Sequence, residues 1–203
     1  MEIKLNAQSS IKITTDRKIY FDPYLIEEET HDADYIFITH DHYDHLDPDS
    51  INKIIKEDTI IIMPKSIKNN FDNYVLGVIP NNEYIIDDIK FRTVPSYNTN
   101  KPFHKKESNW VGYILELDEK DIYVAGDTDI TEENKSVSCD IAFVPIGGTY
   151  TMDYQEAASL INTIKPRVAI PIHYSTIVGT REDALKFKEL LDKDIECRII
   201  MEW

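Results

Sequence analysis

Thr39-His40-Asp41-His42-Tyr43-Asp44-His45-Leu46-Asp47 is the stretch on which the reading of this chain turns. It gathers three of the six histidines, interleaved with carboxylates, just after the apolar run Tyr35-Ile36-Phe37-Ile38. Strand side chains alternate, so in a strand-end loop His40 and His42 can point to one side. Asp44 and His45, further round the turn, can face a second point nearby. Neutral imidazole and carboxylate are the ligands that borderline divalent metals favour. A single histidine here would read as an accident of a polar turn. Three of them with an aspartate, in this order, read as a metal-binding segment.

Around that segment the chain divides in character. Short β-like runs dominate the first half: Ile3 to Leu5, Ser10 to Thr14, Lys18 to Phe21, Tyr35 to Thr39 and Thr59 to Met63. Asp47-Pro48 opens a helix through about Lys56, because proline suits a first helical turn. A short helical stretch is expected from Pro64. Further strands are expected at Tyr84 to Ile86, Ile89 to Pro95, Val111 to Leu117 and Asp121 to Ala125. The last third alternates strand with helix. Buried strands Ile141 to Pro145 and Val168 to Ile172 flank a helix that Asp153 and Glu156 start as a capping box and Pro166 ends. A second helix runs from Thr180 and Asp183 to about Leu191, and a strand from Cys197 to Met201 closes the chain. No repeat, low-complexity tract or Ser/Gly-rich linker interrupts it, so residues 1–203 are expected to form one domain. Strands followed by strands with helices suggest sheet on sheet with helices outside.

Three further segments join the histidine cluster in a recognisable order: Tyr20-Phe21-Asp22-Pro23-Tyr24, Tyr123-Val124-Ala125-Gly126-Asp127-Thr128-Asp129 and Ile170-Pro171-Ile172-His173-Tyr174. Together they resemble the metallo-β-lactamase superfamily, whose signature is His-x-His-x-Asp-His. Val144-Pro145-Ile146-Gly147-Gly148 and Met152 further resemble its branch of small metal-dependent hydrolases related to ascorbate-6-phosphate lactonase. The resemblance implies an α/β fold, a four-layer αβ/βα sandwich with the metal site at one edge between two sheets. It implies two divalent metal ions, Zn2+ first, with Mn2+ or Fe2+ as alternatives. His40 and His42 would hold one ion, and Asp44, His45 and His173 the other. Asp127 would bridge them, and Asp44 and Asp127 would be the catalytic carboxylates. Such a pair of cations lowers the pKa of a shared water and polarises a carbonyl or phosphoryl oxygen.

The family supplies a third histidine to the first ion where this chain has Val94-Pro95-Ser96-Tyr97-Asn98-Thr99-Asn100-Lys101-Pro102-Phe103-His104. Asn98 stands in the expected place, and an amide is a poor zinc ligand. His104 could swing in as the ligand, act on substrate, or lie in a surface loop. Lys101, Lys105 and Lys106 read as an exposed loop before they read as a lid for an anionic substrate. His31 sits in a charged stretch and is given no role. Gly147 and Gly148 read as a turn.

Composition narrows the partners. Twenty-two basic against 37 acidic residues give a net charge of −15, which disfavours long nucleic acid and anionic membrane surfaces as partners. A hydrophobic fraction of 42% is too high for an acidic disordered chain. No apolar run approaches a membrane span, and Met1 to Leu5 alternates like a strand rather than a leader. Two distant cysteines make no disulfide framework. The expectation is a cytoplasmic metal-dependent hydrolase acting on a small ester, lactone or phosphoester, which could be anionic. A phosphodiesterase or nuclease of the same superfamily and a non-catalytic metal-binding module are the alternatives. A flavoprotein diiron enzyme is disfavoured, since that branch typically has Glu where His42 stands.

Overall fold

The computed structural model describes residues 1–201. These form two compact units, Met1–Val78 with Ile200 and Met201, and Ile79–Ile199. The first unit holds a six-stranded sheet in chain order. Strands β1 (Glu2–Leu5), β2 (Ile11–Thr14) and β3 (Lys18–Phe21) run antiparallel; β4 (Tyr35–Phe37), β5 (Ile60–Pro64) and β6 (Val75–Val78) continue parallel to β3. Helix α1 (Pro48–Ile54) makes the crossover between β4 and β5. Alternation along β4 sends Ile36 and Ile38 to one face, where they cluster with Ile61 and Met63 and with Ile51 and Ile54 of α1.

Asp47 caps α1 and Pro48 opens it, as the sequence leads one to expect, but the helix stops at Ile54. The reason lies in its last carbonyls. Those of Lys53 and Ile54 accept the backbone N–H groups of Thr30, His31 and Ala33, and that of Ile55 accepts His31 Nδ1–H. The loop before β4 therefore takes over the end of the helix. No helix forms after Pro64. Ile67 N–H closes a turn on the Pro64 carbonyl, Ile67 is buried, and the chain returns as β6, which the sequence did not suggest.

The second unit is a seven-stranded sheet. β7 (Glu83–Ile86), β8 (Ile89–Pro95), β9 (Val111–Leu117) and β10 (Lys120–Val124) form an antiparallel meander. β11 (Ile141–Pro145), β12 (Val168–Ile172) and β13 (Glu196–Cys197) then run parallel to β10. Helices α2 (Tyr154–Ile164) and α3 (Arg181–Leu190) connect them, and both open on the expected capping boxes. The closing strand is shorter than expected: it ends at Cys197, and Met201 instead bridges to Leu5 of β1. Among the described residues no helix is long and apolar enough to cross a membrane.

The α2 cap gives a first prediction. Asp153 accepts from the backbone N–H groups of Gln155 and Glu156, so Asp153→Ala is expected to cost about 1 kcal/mol in urea unfolding. Activity should be unchanged, and an unfolding midpoint identical to the parent's would contradict the capping role.

Candidate metal centre

In the first unit the motif is folded around one carboxylate. Asp22 follows β3 in the left-handed region (φ 42°) and is fully buried. Its Oδ1 accepts from Thr39 N–H at 2.8 Å, and its Oδ2 accepts from Thr39 Oγ1 at 2.7 Å and from His45 Nδ1 at 2.8 Å. Burial pushes the Asp22 carboxyl above its ordinary value, while His45 and Thr39 pull the other way. A ring that gives its Nδ1 proton to a carboxylate keeps a lone pair on Nε2, which is how metal-binding imidazoles are oriented. His40 is set by the same logic. The Thr39 hydroxyl proton goes to Asp22, so at 3.0 Å from His40 Nδ1 the hydroxyl oxygen accepts, leaving the His40 lone pair on Nε2.

A tight turn carries the other candidate residues of this unit. The backbone N–H groups of His45 and Leu46 both donate to the His42 carbonyl. The rings of His40 and His42 are 4.7 Å apart, and those of His40 and His45 3.9 Å. Asp44 Oδ2 lies 3.5 Å from His45 Nε2 and accepts a long contact from the buried Gln8 Nε2. His40, His42, Asp44 and His45 are thus brought together.

In the second unit Asp127 follows β10 through Gly126 (φ 67°), and His173 follows β12 with φ 58°. His173 Nε2 lies 3.1 Å and His104 Nε2 3.3 Å from the same oxygen, Asp127 Oδ2. All three side chains are at most 3% exposed. Gly147 backs His173 closely. A Cβ there would fall 2.5 Å from the His173 carbonyl oxygen and 3.2 Å from its Nδ1, so the residue is glycine for close approach as well as for the turn.

The two residues competing for one role in the sequence part company here. His104 stands beside Asp127. The Asn98 side chain faces His104, Asp129 and Tyr150, with its Oδ1 3.1 Å from His104 Nδ1. Two of the three lysines of the basic segment are tied down: Lys101 Nζ is 2.6 Å from Asp129, and Lys106 Nζ is 2.7 Å from Glu133. Lys106 and Tyr97 hold Glu133 down to about 2. His31 is engaged with Glu29 and the Ile55 carbonyl, consistent with a structural part.

Sequence reasoning missed Asp22, Thr39 and Gln8 as partners of the candidate ligand side chains, and missed the packing of Gly147 on His173. The Asp-Pro pair after β3 was the available signal for the first of these.

The donor set fits divalent cations. Imidazole nitrogens with carboxylate oxygens are a borderline-metal set. In addition, His104 Nδ1 faces the Asn98 Oδ1 acceptor at 3.1 Å, which turns its Nε2 toward Asp127 Oδ2.

Comparison with known proteins places the fold. The family model of the Beta-lactamase superfamily domain matches residues 2–173. A UPF0173 metal-dependent hydrolase of Thermococcus kodakarensis is 30% identical, over 98% of this chain and 96% of its own length. Another from Thermococcus onnurineus is 29% identical with the same coverage. A crystal structure of a metal-dependent hydrolase from Parabacteroides distasonis superposes with a TM-score of 0.80 at 31% identity, covering 98% of this chain and 93% of that one. The α/β fold with two sheets is therefore the fold of these proteins.

Proposed function

The chain belongs to the beta-lactamase superfamily and is a metal-dependent hydrolase, and from that premise we propose that its two ligand sets serve one hydrolytic centre for a small ester, lactone or phosphoester. In this reading both units are halves of a single hydrolase domain. His40, His42 and His104 would hold one divalent ion and Asp44, His45 and His173 a second, with Asp127 a ligand available to both; zinc is the first choice and Mn2+ or Fe2+ are alternatives. Bound there, such ions supply an acidified water and a polarised substrate oxygen. The chain's own part is to aim the imidazole lone pairs, through Asp22, Thr39 and Asn98. Asp127 would also orient the attacking water and take up its proton, while Asp44 stands against His45 Nε2 and is held by Gln8.

One observation carries the reading: two imidazole Nε2 atoms meet one buried carboxylate oxygen, Asp127 Oδ2. The ester and lactone substrates rank ahead of phosphoesters, because Lys101 and Lys106 are spent on Asp129 and Glu133. The net charge of −15 supports a small molecule over a nucleic acid. Cytoplasmic residence belongs to the same reading, supported by two unbridged cysteines, with burial pushing Cys139 up to about 12 and Cys197 to about 11.

The test is turnover by zinc-loaded protein on a panel of aryl esters, lactones, phosphomonoesters and phosphodiesters. Hydrolysis of esters or lactones at least tenfold above phosphodiesters is the expected outcome. Stoichiometric metal with no turnover anywhere on the panel would instead favour a non-catalytic metal-binding module.

A further inference from the structure

We propose that Asn98 is a positioning residue: it holds the His104 proton on Nδ1 and thereby presents Nε2 as the metal-binding atom. The proposal rests on the reading of His104 as a ligand and adds what makes it one. Asn98 stands where a ligand is expected, yet its amide is turned to His104. Its Oδ1 accepts both the backbone N–H of His104, at 2.9 Å, and the ring Nδ1–H, at 3.1 Å. Its own backbone N–H donates to the His104 carbonyl at 2.7 Å. The amide orientation is fixed by its partners. The oxygen meets a backbone donor, and Nδ2 donates to the Tyr150 carbonyl at 2.9 Å and to Asp129 Oδ1 at 3.2 Å. With an acceptor facing Nδ1, the ring holds a proton there, and Nε2 is the nitrogen turned toward Asp127.

The support extends one layer further. Asp129 is buried and receives Thr99 N–H at 2.8 Å and Lys101 Nζ at 2.6 Å, besides Asn98 Nδ2. The loop from Ser96 to His104 is thus closed on itself at Asn98 and tied to the second aspartate of Gly126-Asp127-Thr128-Asp129. That segment therefore does two jobs: Asp127 meets the imidazoles, and Asp129 anchors the residue that sets one of them. Partners of this kind change metal affinity about 10- to 100-fold when removed.

The experiment has two arms. In the first, long-range 1H–15N spectra of metal-free wild type and Asn98→Ala report which His104 nitrogen carries the proton. The expected result is Nδ1–H in wild type and a shift to Nε2–H in the variant. A wild-type ring protonated on Nε2 alone, with none on Nδ1, overturns the proposal, whereas a ring protonated on both keeps the Nδ1 proton on Asn98 and supports it; that measurement needs no variant to fold. In the second arm, Zn2+ affinity is measured by competition with a chromophoric chelator for Asn98→Ala, His104→Ala and the double variant. Asn98→Ala is expected to weaken the affected ion about tenfold or more, and the double variant to bind no more weakly than His104→Ala. Wild-type affinity in Asn98→Ala alongside weakened His104→Ala overturns the proposal, as do losses that add. Wild-type affinity in His104→Ala overturns the ligand reading itself, an outcome the other variants do not mimic.

Discussion

Asp127→Ala is expected to lower kcat/KM on any substrate of this protein by on the order of 10³-fold or more, about 4 kcal/mol of transition-state stabilisation. The basis is geometric. His104 and His173 converge on Asp127 Oδ2 within 3.3 Å, inside a site where all three are buried. Removing the carboxylate takes away a shared anionic oxygen, so bound metal should fall together with activity. Asp127→Asn keeps the shape without the charge and is expected to fail nearly as badly. Steady-state kinetics with metal content measured on the same samples checks this. A variant that retained both would remove Asp127 from the centre.

Asp22→Ala is expected to be the most destabilising single change in the first unit. The carboxylate is fully buried and serves three donors at once: Thr39 N–H, Thr39 Oγ1 and His45 Nδ1. Breaking a buried pair from one side costs about 3–5 kcal/mol, because the remaining polar groups stay buried without compensation. That is a large fraction of the roughly 5–15 kcal/mol that keeps a domain folded. Urea unfolding measures it, and a loss below about 1 kcal/mol would show that solvent or a neighbour replaces Asp22. Metal affinity should fall as well, since the His45 tautomer loses its anchor.

Much of the fold was legible from local pattern. Strands such as Ile89–Pro95, Val111–Leu117 and Val168–Ile172 are apolar runs with clear ends, and the boxes at Asp153 and Thr180 announce their helices. β6 was not legible: it is four residues long, only partly buried and interrupted by Gly77. The end of α1 was misplaced because His31 and its neighbours, more than twenty residues earlier, claim its carbonyls. The residues proposed as ligands could be picked out by the spacing of the histidine cluster and the resemblance of the later segments to the family, but the long-range contacts of their supports could not. Asp22 reaches His45 across 23 positions, and Asp129 reaches Asn98 across 31, contacts that only the folded chain makes. The choice between Asn98 and His104 was open for the same reason. Local sequence offers both, and the pinning of the loop on Asp129 turns one toward Asp127 and the other away.

Elemental analysis of the purified protein, coupled to its hydrolytic rate before and after chelation, tests the central claim most directly. The account predicts two divalent ions per chain, loss of turnover as they are withdrawn, and recovery when Zn2+, Mn2+ or Fe2+ is returned. Undiminished turnover by protein stripped of metal would contradict it.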